Sequence, residues 1–266
     1  MFLYLVMPTF VIVPMSFSNR TYLMFPPPGW STRWYQDLYL KTDYAVAFAN
    51  SLKIGIPAAL LATVLGTLAA LAIVRGRFRG ARLASVVVLA PLMLPQIVLA
   101  LGLFTVLLRL HLLGTYAGIV IAHAVIGMPL VFITVGASLR TQGPTHELAA
   151  MTLGASRWKT FWHVTFPMTR IGIIVGAIFA FSFSFDELIL ALFLTSPETR
   201  TLPRQLWEAL YDQITPTIAA ASTLILCVSF LALGVVALLQ RRAAATGLVG
   251  QPGRDRPGDG GVLVSP

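Results

Sequence analysis

Two carboxylates stand side by side in an apolar run, Phe181-Ser-Phe-Ser-Phe-Asp-Glu-Leu at residues 181–188. An ionised acid inside a bilayer costs about 2 to 3 kcal/mol even on the lenient insertion scale, so it must face protein, water or a solute. On a helix, Ser182 lies one turn before Asp186, with Phe179, Phe183 and Phe193 at nearby positions. Carboxylates flanked by aromatic rings suit an organic ammonium, through charge pairing and cation–π attraction. Two readings of Asp186, Glu187, Ser182 and Phe183 stay open. They line the route of a cationic solute, or the acids turn to the outer interface or pair with an arginine of a neighbouring chain.

A second polar stretch, 140–170, separates two apolar blocks. Gly143 and Pro144 punctuate its start, and Thr145 is placed to cap a helix running through Ala149 and Ala150 until Gly154 stops it. Leu148, Met151 and Thr152 share one face, and Arg157 and Lys159 follow. A short helix of small residues with cations behind it is shaped for another protein to hold. Catalytic constellations are absent from the sequence: no Ser-His-Asp or paired-acid arrangement can be assigned, and His146-Glu147 lacks further metal ligands. There is no Gly-x-x-x-x-Gly-Lys-Ser/Thr phosphate loop, so the chain is not expected to hydrolyse ATP itself. His123, inside an apolar block, reads as an interhelical hydrogen-bond partner before it reads as a proton relay.

The elements that position these residues follow from composition. Of 266 residues, 57% are hydrophobic and 11% charged, about half the charge of a soluble domain. Mean hydropathy is +0.81. The chain is an all-α, polytopic membrane protein, with six expected transmembrane helices at 2–17, 52–74, 83–108, 116–139, 171–193 and 217–239. The first is short for a span, and it has neither a basic leader nor a small-residue cleavage site, so a cleaved signal peptide is not expected. Pro91 and Pro95 should kink the third span, and Pro129 lies in the fourth. Asn50 and Ser51 offer a cap to the second. Trp30, Trp34, Tyr35 and Tyr39 suit a membrane–water interface.

The net charge of +9 reads as basic cytoplasmic loops rather than nucleic-acid binding. With both termini inside, 12 of the 19 lysines and arginines fall on the inner side, and the 140–170 stretch is cytoplasmic. Outside, 203–214 reads as a short amphipathic helix, with Leu206, Trp207, Leu210, Tyr211 and Ile214 on its apolar face and Glu208 and Asp212 on its polar one. It either receives a partner or lies in the interface. Three regions result: 1–49, a first span with an outer loop; 50–240, a five-helix core; and 241–266, a Gly/Pro-rich cytoplasmic tail expected to be disordered.

From Leu148 the loop reads Leu-Ala-Ala-x-x-x-Gly154, nine residues, then Val164-x-Phe166-Pro167. This resembles the signature loop of permease subunits in binding-protein-dependent ABC importers, Glu-Ala-Ala, three residues, Gly, nine residues, Ile-x-Leu-Pro. Ala149, Ala150, Gly154 and Pro167 match; Leu148 replaces the family's glutamate, and the acid lies one residue earlier, at Glu147. The resemblance implies a type I ABC importer permease-like fold in a bacterial inner membrane. It implies that Glu147, Leu148, Ala149, Ala150, Gly154 and Pro167 form a coupling helix that docks on an ATPase subunit. It also implies two ATPase subunits carrying the ATP and Mg, a second, homologous permease chain, and a periplasmic substrate-binding protein reaching the outer loops. The Phe-Asp-Glu stretch, with Thr201-Leu-Pro203 and Ile214-Thr-Pro216, resembles the polyamine (spermidine/putrescine) branch. Iron, phosphonate, opine or sugar import remain alternatives. An ion-coupled secondary transporter would show more spans and a repeated half, and neither is visible.

Overall fold

The computed structural model describes residues 2–40, 42–76, 78–212 and 214–245. Long helices dominate because long apolar runs leave backbone groups no partner but their own chain. In order they are α1 (Phe2–Ser16), α2 (Arg33–Leu40), α3 (Thr42–Arg75), α4 (Ala81–Met93), α5 (Gln96–Arg109), α6 (Tyr116–Gln142), α7 (Thr145–Thr152) and α8 (Arg157–Thr160). A π-helical turn (Phe161–Thr165) joins α8 to α9 (Phe166–Phe185), and α10 (Ile189–Leu194), α11 (Leu202–Asp212) and α12 (Pro216–Ala245) follow. The tail expected to be disordered falls largely on 246–266, outside the described residues.

The core is the bundle of α3, α6 and α9, with α6 at its centre. Without a hydrophobic driving force between helices in lipid, close approach depends on small residues. Ala62, Gly127 and Ala180 meet where the three helices cross. A Cβ on Gly176 of α9 would stand 2.4 Å from Thr134 Oγ1 and 2.9 Å from Val131 Cα. Thr115 caps α6 by accepting from the Gly118 amide at 3.1 Å. At one end of the bundle α2 and α11 pack against α12 around Trp34, Leu38 and Leu202.

Among the described residues, four helical segments are long and apolar enough to cross a membrane alone: Asp43–Arg75, Tyr116–Gln142, Arg157–Phe185 and Pro216–Arg241. The expected third span is no single kinked helix. α4 and α5 meet at 106°, with Leu94 extended and Pro95 opening the next helix. Pro95 disfavours helical geometry at Leu94 and breaks the chain there, whereas Pro91 is absorbed within α4. The first span, α1, has 15 residues, fewer than the roughly 20 that cross a bilayer, and lies along α12.

The expected fifth span is shifted and cut. Its helix begins at Arg157, with Ser156 as the cap, and stops at Phe185, so Asp186 to Leu188 are an interruption before α10. Pro167 therefore does not restart a helix. Its missing N–H and its ring disturb the bond to residue 163, and the chain widens into the π turn, where the Phe166 amide reaches the Phe161 carbonyl. Asn50 and Ser51 also differ from expectation, because α3 already begins at Thr42. They lie inside the helix and hold the 198–202 loop. Asn50 Nδ2 donates to the Glu198 and Arg200 carbonyls at 2.9 and 3.0 Å, and Ser51 Oγ accepts the Leu202 amide at 2.9 Å. Trp34 is core rather than interface: it is buried and donates to the Ser18 carbonyl at 2.6 Å.

Candidate functional site

The 140–170 stretch folds as a short helix fixed at both ends. Thr145 is its first residue rather than its cap; Pro144 takes the cap position without a side-chain bond. The other end closes as a Schellman turn. The Gly154 amide reaches the Met151 carbonyl, the Ala155 amide reaches the Ala150 carbonyl, and Gly154 sits at φ +89°, where a side chain is strained. Ala149 and Gly154 are exposed, Ala150 is half-buried, and Leu148, Met151 and Leu153 present apolar surface outward.

Glu147 points the other way. Its Oε2 accepts Arg75 Nε at 2.9 Å, and its Oε1 accepts the Thr165 hydroxyl at 3.1 Å. Arg75, the last residue of α3, also donates from Nη2 to the Gly143 carbonyl at 2.7 Å. Of the six residues expected to form the coupling surface, Leu148, Ala149, Ala150 and Gly154 share one exposed element. Glu147 anchors that element from behind, and Pro167 lies on α9 past the π turn.

The second cluster lies where two helix breaks meet. α5 and α10, each starting just after a break, pack on one another through Ala100, Leu107, Leu190 and Leu194. Glu187 bridges their N-terminal ends: Oε1 accepts the Leu190 amide at 3.0 Å and Oε2 accepts Gln96 Nε2 at 3.2 Å. Glu187 is only 5% exposed, whereas Asp186 is exposed. Both line a cavity of about 690 Å³ together with Gln96, Ser182, Phe183 and Ser229. Among the described residues neither acid forms an ion pair. One helical turn from the break, Ser184 hydrogen-bonds His123 Nδ1 at 2.7 Å, so His123 is an interhelical partner.

Comparison with known proteins gives these clusters their setting. Residues 62–245 match the family described as "Binding-protein-dependent transport system inner membrane component". The chain belongs to this family. The putrescine transport system permease protein PotI of Escherichia coli (strain K12) is 36% identical to the permease over 232 residues, covering 85% of this chain and 82% of the relative. The spermidine/putrescine transport system permease protein PotC of the same strain is 26% identical over 226 residues, covering 85% of each. A bacterial ABC transporter involved in the import of the acidic polysaccharide alginate shares the permease's fold, with a TM-score of 0.60 over 92% of this chain and 90% of that one at 15% identity. The protein is thus a multi-pass inner-membrane permease subunit of an ABC importer, with the all-α fold of that class, and it works in a system that includes a binding protein, an ATPase and a partner permease.

Three residues of the permease's clusters were not singled out from sequence. Arg75 registers there only as one more inner cation, Thr165 as a loop residue, and Gln96 as a lone polar side chain after Pro95. Gln96 carries a readable signal, because a polar side chain following a break in an apolar block is well placed to satisfy freed backbone or buried charge. On α11, Glu208 is held by Arg200 at 3.2 Å and by Arg204 at 2.8 Å. Arg204 also bonds the Thr195 carbonyl and hydroxyl at the end of α10. The polar face of α11 is therefore occupied internally at Glu208, and the side chain of Asp212 lies outside the described residues. Trp207, Leu210, Tyr211 and Ile214 are exposed.

Proposed function

We propose that the permease moves a small organic cation of the polyamine class, putrescine or spermidine, from the periplasm to the cytoplasm by alternating access. The carrying observation is the cavity at the two helix breaks. There Asp186 stands exposed with no ion-pair partner among the described residues, beside Ser182, Phe183 and Phe179. An alkylammonium group finds a carboxylate to pair with, hydroxyls to donate to and ring faces for its charge. The relatives named for putrescine and spermidine transport support the same substrate class.

In this reading both termini are cytoplasmic. Two ATPase subunits, which hold the ATP and Mg, engage Leu148, Ala149, Ala150 and Gly154 on α7. A second, homologous permease chain completes the path, and the periplasmic binding protein delivers the cation at the outer loops beside α11. Closure of the ATPase pair opens the path outward, and hydrolysis returns it inward. The test is reconstitution of the complete complex in vesicles. Putrescine and spermidine should enter with ATP inside, and a neutral diol of the same length should not. Uptake that follows a proton gradient without ATP, or equal uptake of the diol, would refute the reading.

A further inference from the structure

Position 148, where the signature loop that this stretch resembles has a glutamate, is an exposed leucine, and the neighbouring acid Glu147 is turned into the protein. Its two oxygens take different partners, Arg75 from the end of α3 and Thr165 from the π turn before α9. Arg75 divides its fork between Glu147 and the Gly143 carbonyl, so it grips both the junction leaving α6 and the first turn of α7. The Gln142 amide donates to the Met168 carbonyl and ties that junction to α9 as well. Side chains in the pair are 21% and 15% exposed, which shields them from the screening that weakens surface ion pairs. Otherwise α7 packs on α8 and the π turn.

We propose that Arg75, Glu147 and Thr165 form a clamp that makes the cytoplasmic helix one rigid body with α3 and α9, and that Glu147 positions α7 rather than meeting the ATPase. Gly143, at φ +62° with open space around it, is the joint that would otherwise flex. With the clamp closed, displacement of α7 is passed to the two helices that pack on α6 in the core. With it open, α7 pivots at Gly143 and the ATPase cycle is lost on a loose segment. Arg75 and Glu147 are thus positioning residues for coupling, and this rests on the ATP-driven polyamine uptake proposed above.

The experiment uses the complete complex in vesicles with putrescine as the probe and reads putrescine moved per ATP hydrolysed. Arg75→Ala and Glu147→Ala should each lower that ratio about tenfold, the effect of one lost charge-assisted bond. The double variant should be no worse than the poorer single one, since both open the same clamp. ATPase subunits should co-purify with all three. Additive losses, or loss of the ATPase from Glu147→Ala but not from Arg75→Ala, would overturn the proposal. If the charge variants do not accumulate in the membrane, Thr165→Val decides. It keeps the side chain's shape while removing one donor, and an unchanged ratio there overturns the clamp. Failure of the unaltered complex to take up putrescine with ATP would instead refute the polyamine reading.

Discussion

Asp186 and Glu187 are neighbours in sequence with opposite structural situations, so neutralising them one at a time should give different losses. Asp186→Asn removes an exposed charge from the cavity while its backbone position, with the amide on the Ser182 carbonyl, is unaffected. A hydrogen bond to a charged group contributes about 1.5 to 3 kcal/mol, so putrescine uptake at limiting concentration should fall roughly 10- to 150-fold. Glu187→Gln keeps one oxygen for the Leu190 amide, and Gln96 can rotate its own amide to offer an oxygen to the new NH2 group. The cost is the charge assistance alone, about 1 kcal/mol or roughly fivefold. Glu187→Ala leaves the buried Leu190 amide without its acceptor, at about 1 to 3 kcal/mol, and should lower the melting temperature of the purified complex. The assay is initial-rate uptake of labelled putrescine over a concentration series, with thermal unfolding of each variant alongside. Normal uptake in Asp186→Asn, with Glu187→Gln the severe variant, would refute the division of roles.

Three further outcomes follow from single contacts. Gly154→Ala places a Cβ at φ +89° and should cost about 1 to 2 kcal/mol at the end of α7, lowering ATP-driven uptake; Gly154→Asn, which tolerates that geometry better, should lie between the two. Asn50→Ala removes both donors to the 198–200 loop and the acceptor for the Tyr116 hydroxyl, and should destabilise the complex by about 2 to 4 kcal/mol, seen as earlier thermal unfolding and faster proteolysis of that loop. Gly176→Val should prevent α9 from seating on α6 beside Thr134, and the readout is loss of membrane-inserted protein in a fractionation.

Hydropathy made the membrane class and most of the spans readable, because a window of apolar residues reports burial in lipid whatever the tertiary structure. It could not report direction. Leu94-Pro95 and Asp186-Glu187 lie within windows that average as apolar, and the chain turns by 106° at the first and stops its helix at the second. The signals were the residues themselves, a proline restricting its predecessor and two acids too costly for a lipid-facing helix. Asn50 and Ser51 have the side chains of a helix cap, and sequence alone does not show that their acceptors and donor lie about 150 residues away. Glu147 was legible as an acid displaced from its usual place. Its partner, 72 residues earlier, was not, since an arginine at a span end is equally explained by membrane orientation.

The interior chemistry of the permease gathers at its helix breaks for one physical reason. A break inside a membrane frees backbone amides that lipid cannot satisfy, so each break needs side chains able to accept them. At 186–188 one carboxylate, Glu187, takes an amide of α10 and the side chain of the residue that opens α5, so two breaks share one acceptor. With that acid committed to holding the breaks together, its neighbour Asp186 is released from structural duty and stands on the cavity. The 140–170 loop repeats the arrangement in reverse order. Glu147 holds α7 from behind, and the residue after it, Leu148, faces outward. At both places adjacent residues divide the work: one side chain holds the chain, and its neighbour is left exposed.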